Sequence, residues 1–168
     1  MSDTASTPNT LRVVTCDTDE TLAAASGLFN QYRHHYGQPS DADERTLGWL
    51  IEMVRSNMLT VYTASVDSPV DAPPVGLATA HSIPASLVMG RSWQLRDLYV
   101  LPGLRRHGAG AALVGAVREA ALAAGAIRLS LVTEPDNAAA LGLYRTLGFR
   151  PVEGLLSLSL DLALQDEV

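Results

Sequence analysis

Leu98-Tyr99-Val100-Leu101-Pro102-Gly103-Leu104-Arg105-Arg106-His107-Gly108-Ala109-Gly110, continuing into Ala111-Ala112-Leu113-Val114, is the stretch on which the fold turns. It reads as the end of a strand, a short loop with two arginines, the pair Gly108 and Gly110, and the start of an alanine-rich helix. A helix start leaves backbone N–H groups without intrahelical acceptors and carries the positive end of the dipole. Glycine lets a backbone approach a ligand closely. Arginine adds fixed charge with forked donors. An anion such as a pyrophosphate needs this combination.

Several anion-binding schemes compete for such a loop. A Walker A loop requires lysine, and all twelve basic residues of this chain are arginine. The same absence excludes a lysine Schiff base. A dinucleotide fold wants a third glycine where Leu113 stands, and a strand running directly into the first glycine. Here about six residues separate Leu101 from Gly108. Glu134 follows the next strand, where a ribose-binding acid would stand, so the mimicry is partial. The purely structural alternative is a helix packed closely through Gly108 and Gly110.

The rest of the chain constrains the class. Its 168 residues suit one domain with a real core. Residues 1–10 are polar and read as a disordered tail, leaving 11–168 as the domain. The net charge of −6 argues against a general nucleic-acid surface and mildly favours cationic partners. Cys16 is the single cysteine, so no internal disulfide forms; a buried strand residue in a reducing, cytoplasmic setting is expected. No apolar signal core and no membrane-length apolar run is present.

Leu11 to Thr15 reads as a strand. The acidic start Asp17-Thr18-Asp19-Glu20 opens a helix with Leu22, Ala25, Leu28, Phe29 and Tyr32 on one face, stopped by Gly37-Gln38-Pro39. Ser40 or Asp41 opens a second helix with Leu47, Leu50, Ile51 and Val54 on one face. Leu59–Val66, Val75–Ser82 and Trp93–Leu101 read as strands, the first two joined across a turn at Asp67–Pro74 and the last two as antiparallel neighbours. The helix after Gly108 carries Leu113, Val117, Ala121 and Ala124 and ends at Gly125. Ile127–Thr133 reads as a buried strand, and Asp136 or Asn137 caps a short helix ending at Leu147-Gly148. The leucines from Leu156 to Leu164 alternate with small or polar residues, which predicts a final strand with one buried face.

This order, with R-x-x-G-x-G before the long helix, resembles the GNAT superfamily of acyl-CoA-dependent N-acyltransferases over residues 11–164. A second block carries the likeness. Asn137-Ala138-Ala139-Ala140-Leu141-Gly142-Leu143-Tyr144-Arg145-Thr146-Leu147-Gly148-Phe149 resembles the family's N-x-x-A-x-x-L-Y-x-x-x-G-F pattern. Tyr32-Arg33-His34-His35-Tyr36-Gly37 resembles a branch acting on small amines. The resemblance implies an α/β (α+β) fold: a central mixed, mostly antiparallel twisted sheet of about seven strands with about four helices.

It also implies roles. Arg105, Arg106, His107, Gly108, Ala109, Gly110 and Ala111 would cradle the pyrophosphate of acetyl-CoA. Main-chain groups of Leu98, Tyr99 and Val100 would bind the pantetheine arm, and Asn137 would contact it or simply cap its helix. Tyr144 would protonate the departing thiolate of coenzyme A or, structurally, pack its helix on the sheet. Asp97 is a candidate base or a structural carboxylate. His81 and His34 or His35 are further proton acceptors. Tyr32, Tyr36, His81 and Arg96 would face the acceptor. In the diamine-acetylating branch a glutamate stands where this chain has Arg96, so an acceptor bearing a carboxylate is one expectation. Asp41, Asp43 and Glu44 would either bind a cationic amine or complement a helix dipole.

The implied activity is transfer of an acetyl group to the primary amine of a small molecule. The alternatives are a protein lysine or N-terminal acetyltransferase, and a non-catalytic acyl-CoA-binding module. Relatives are often dimers, which leaves a homodimer open. The four histidines and one cysteine lack metal-site spacing, so no metal is expected.

Overall fold

The computed structural model describes residues 10–66 and 72–160. The chain runs β1 (Leu11–Thr15), α1 (Asp19–His35), α2 (Thr46–Arg55), β2 (Thr60–Val66), β3 (Gly76–Ala85), β4 (Gly90–Val100), α3 (Ala109–Ala123), β5 (Leu129–Leu131) and α4 (Ala138–Thr146). The five strands form one sheet in sequence order. Each pair from β1 to β4 is antiparallel, and β4–β5 is parallel.

Alternation along the strands divides the core between the two faces of the sheet. Val61, Leu77 and Tyr99 pack against Leu22, Leu28 and Phe29 of α1 and Leu50 of α2. Their neighbours Tyr62, Ala78 and Ala80 pack against Leu113, Val114 and Val117 of α3 and Tyr144 of α4. Thr18 caps α1 in a reciprocal box with Thr21, and Asp19 and Glu20 complement the dipole. Cys16 is buried beside Thr63, and burial pushes its thiol pKa up, which keeps it inert.

Four local expectations are corrected. Ser40–Arg45 is a 3₁₀ turn, and α2 starts only at Thr46. Asp43 is drawn to Arg33 at 2.8 Å, and the Thr46 hydroxyl donates to Asn30 at 2.6 Å; these side-chain bonds compete with a regular α-helical turn. The β3–β4 ribbon runs out to Ala85 and Gly90, beyond the expected ends at Ser82 and Trp93, because ladder hydrogen bonds do not require apolar alternation.

The strand expected over Ile127–Thr133 is laddered only at Leu129–Leu131 and is half-buried; Ile127 and Val132 are exposed. β5 has β4 on one side and no strand on the other among the described residues. Residues 155–160 form no ladder and Leu156, Leu158 and Leu160 are exposed; Leu162 and Leu164 lie outside the described residues. The sheet therefore has five strands among the described residues where about seven were expected. Part of the expected turn at Asp67–Pro74 also lies outside them, as do residues 1–9 of the expected tail.

Two irregularities shape the sheet beside the loop. The β3–β4 register pairs Thr79 with Asp97 but Ala80 with Leu95, so Arg96 is the extra residue of a bulge. β5 meets β4 only at Trp93–Leu95. Beyond Leu95 the β4 edge therefore faces α4 and the loop instead of a strand. Gly76 allows this edge to lie close to α3. A Cβ there would stand 3.0 Å from the Tyr99 carbonyl oxygen and 3.1 Å from Leu113 Cδ1.

Candidate active site

α3 begins without a side-chain cap. Its N-cap is Gly108, left-handed at φ +89°, and no acidic residue stands in its first turn. The first intrahelical bond runs from the Ala112 amide to the Gly108 carbonyl at 2.9 Å, which leaves the amides of Ala109, Gly110 and Ala111 without intrahelical acceptors. The contrast with α1, capped by Thr18 and opened by two acids, is chemical: one helix start supplies its own compensation and the other offers its donors outward.

Those donors face a cleft of about 660 Å³. One wall is the start of α3 with Arg105 and Arg106, and the opposite wall is α4 from Asn137 to Leu143. The free β4 edge at Leu98, Tyr99 and Val100 forms its floor, and Tyr36 and His35 of α1 stand at its end. The structure thus gathers ten of the twelve expected cofactor residues into one cleft; Tyr144 and His107 lie outside its lining, Tyr144 lining a second groove beside β5. Of the loop residues, His107 lies outside the lining; its ring bonds the Arg105 carbonyl at 2.8 Å and so shapes the turn. Arg105 Nε donates to the Val100 carbonyl at 3.0 Å, and its guanidinium stands 6.0 Å from the centroid of the Tyr99 ring. The loop is thereby clasped onto the strand, with the remaining guanidinium nitrogens available. Arg106 adopts a left-handed backbone at φ +66°.

The cleft fits a CoA pyrophosphate and arm. An uncapped helix start and two arginines suit the phosphates. An unpaired strand edge suits an extended amide chain, which adds to it as a strand would. Gly110 keeps α3 against α4, since a Cβ there would lie 3.2 Å from Leu143 Cδ2. Asn137 caps α4, its side-chain oxygen accepting from the Ala140 amide at 3.2 Å, and it also lines the cleft.

Tyr144 is buried on α4, its ring edge-on to Phe149 at 5.7 Å between centroids. Burial, with Tyr36 and Glu134 adding to it, raises its phenol pKa and keeps it protonated. Tyr32 is differently engaged. Its hydroxyl donates to Asp97 Oδ1 at 2.8 Å, and Thr79 donates to Asp97 Oδ2. Burial first, and then Asp97, raise the Tyr32 pKa. Asp97 thus holds a tyrosine and a threonine hydroxyl and joins β3, β4 and α1.

His81 lies on β3 opposite Gln94 and is partly buried. Burial and the nearby Arg96 lower its pKa, with Asp97 opposing, so the imidazole is neutral at pH 7. Arg96 itself is exposed in the bulge. Tyr36 packs edge-on to Tyr32 and His35, and burial with Glu134 raises its phenol pKa.

Of the acids at the α2 entrance, Asp43 is committed to Arg33 at 2.8 Å and His34 at 3.0 Å. Sequence reasoning passed over Thr79 and Gly76. A threonine and a glycine in a strand give no signal until the register sets them against Asp97 and Tyr99. Among the described residues no cluster suits a metal ion and no helix is long and apolar enough to cross a membrane.

Comparison with known proteins places these features. Residues 25–149 match the model of the acetyltransferase (GNAT) family. The uncharacterized N-acetyltransferase YhfO of Bacillus subtilis strain 168 is 31% identical over 140 residues, which is 83% of this chain and 91% of that protein. A crystal structure of a probable acetyltransferase superposes with a TM-score of 0.82 at 27% identity, covering 92% of this chain and 99% of the other. The aminoglycoside N-acetyltransferase AAC(6')-Iy in complex with CoA shares the fold, with a TM-score of 0.71 at 21% identity over 89% of this chain and 94% of that one.

Proposed function

Because this chain belongs to the GNAT family and is an N-acetyltransferase that uses acetyl-CoA, we propose that its acceptor is the primary amine of a small molecule. The observation that carries this reading is the composition of the cleft end. Tyr36 and His35 line it beside the β4 edge, and Glu134 is close enough to raise the pKa values of Tyr32, Tyr36 and Tyr144. Aromatic faces with a nearby carboxylate attract an ammonium group.

Acetyl-CoA supplies the acetyl group as a thioester. The amides of Ala109, Gly110 and Ala111, with Arg105 and Arg106, hold the phosphates; Leu98 to Val100 and Asn137 hold the arm. The acceptor nitrogen forms a bond to the acetyl carbon as the C–S bond breaks. An amine of pKa about 10.4 must first lose a proton, at a cost on the order of 4–5 kcal/mol at neutral pH. His81, neutral and beside the bulge, takes this proton, through solvent where contact is not direct. Tyr144 donates a proton to the departing thiolate, whose pKa is about 8.5 as a free thiol. Asp97 acts here as a positioning carboxylate that holds Tyr32, whose ring packs edge-on to Tyr36 at the cleft end.

The test is release of free thiol from acetyl-CoA against a panel of small amines, amino acids and lysine peptides. Turnover with small amines is expected. Turnover confined to peptides overturns the acceptor assignment, and no turnover with any amine favours a binding module.

A further inference from the structure

Two tyrosines line the cofactor cleft, Tyr36 and Tyr99. Tyr99 is buried in the core on the α1 side of the sheet. Tyr36 is 51% exposed, and its hydroxyl makes no hydrogen bond among the described residues. Tyr32, one turn earlier on α1, spends its hydroxyl on Asp97, and Tyr144 lines the groove beside β5 instead of the cleft. Tyr36 is therefore the half-exposed phenol that brings a free donor into the cleft.

The ring is held although the hydroxyl is free. Tyr36 is the C-cap of α1, and Gly37, left-handed at φ +77°, follows it. The Gly37 amide donates to the His34 carbonyl at 2.9 Å and the Gln38 amide to the Arg33 carbonyl at 3.0 Å, which closes the helix end. The ring stands edge-on to Tyr32 at 5.2 Å and to His35 at 5.4 Å. A donor on a fixed ring meets a ligand atom with little further loss of conformational freedom. Its surroundings join the two ends of the reaction. Arg105 of the loop and the carboxylates of Asp97 and Glu134 all act on this phenol, and Tyr144 senses it as well.

The reacting terminus of acetyl-CoA presents one oxygen to such a donor, the thioester carbonyl, and this oxygen gains negative charge as an amine adds to the carbon. We propose that the Tyr36 hydroxyl donates a hydrogen bond to the carbonyl oxygen of the bound acetyl thioester, orienting and polarising the acetyl group. Free CoA carries a thiol in place of the acetyl group and offers this phenol no carbonyl. Tyr36 thus lets the chain tell acetyl-CoA from CoA, while the α3 amides and the arginines hold what the two ligands share. The assignment rests on the cleft holding the cofactor and is independent of the acceptor.

Calorimetric titration of the full chain with acetyl-CoA, and separately with CoA, tests this with no amine present. Tyr36→Phe keeps the ring against Tyr32 and His35. It should weaken acetyl-CoA about threefold to tenfold and leave CoA within about twofold. Infrared difference spectra of an isotope-labelled acetyl carbonyl should show a lower stretching frequency on the wild type than on Tyr36→Phe. An equal frequency on the two proteins overturns the proposal, as does an equal loss of affinity for both ligands, which makes Tyr36 a wall of the arm alone. Arg106→Ala should weaken both ligands alike. If it weakens neither, the cofactor does not lie in this cleft, and the proposal falls with that reading for a reason the Tyr36 data do not share.

Discussion

The Tyr32 hydroxyl donates to Asp97 Oδ1 at 2.8 Å across 65 residues of sequence. It ties α1 to the β4 bulge, while the buried Thr79 holds the other carboxylate oxygen.

Asp97→Ala leaves both hydroxyls without their acceptor, and Thr79 is wholly buried. A loss of about 1–3 kcal/mol in unfolding free energy is expected. Urea denaturation reads the loss. Because Tyr32 is then loosened, KM for the amine should rise while CoA affinity holds within about twofold.

Tyr144→Phe keeps the ring against Phe149 and removes the proton donor. Turnover should fall by about 10²-fold with CoA affinity nearly unchanged. Unaltered single-turnover rates would remove Tyr144 from the chemistry. The raised phenol pKa predicts that wild-type activity does not decline through Tyr144 ionisation near pH 9.

Two glycines are expected to respond in opposite directions. Gly76→Ala sets a Cβ 3.0 Å from the Tyr99 carbonyl oxygen, with backbone on one side and Leu113 on the other. It should cost about 1–3 kcal/mol. Gly115, inside α3, has open space where its Cβ would stand, so Gly115→Ala should stabilise by about 0.5–1 kcal/mol. Thermal melts of the two variants provide the comparison.

His81 has a lowered pKa in the folded chain. As pH falls below about 6.5, the unfolded chain takes up the proton first, so the native state loses stability. Above that value both states are neutral and His81 contributes no slope. His81→Gln should therefore flatten the stability profile on the acid side of about pH 6.5. Its turnover at neutral pH should fall below that of the wild type, and the acidic limb of the wild-type rate profile should be missing. A mutant rate profile identical to the wild type would exclude His81 as the proton acceptor.

Much of the site was legible because it is local. The Arg105–Ala111 loop, the Asn137 cap and the Gly125 and Gly148 stops depend on residues a few positions apart, and the structure has each where the pattern predicts it. Asp97 was legible as a residue of consequence but not in its contacts. Its partners come from α1 and β3, and one of them is set by a register shift that adjacent positions in the sequence do not encode.

By itself the sequence determined most of the helices and the first four strands, and a glycine-rich helix start with two arginines and no lysine, since these follow from side-chain alternation, capping and charge within short windows. Tertiary structure decided the rest. Which β4 edge lies free, how far β5 pairs and which hydroxyls Asp97 holds depend on how distant strands meet. The leucines of the last segment show the boundary most clearly. Their alternation predicts one covered face, yet Leu156, Leu158 and Leu160 are exposed among the described residues, because alternation within a strand does not encode the distant surface that would cover it.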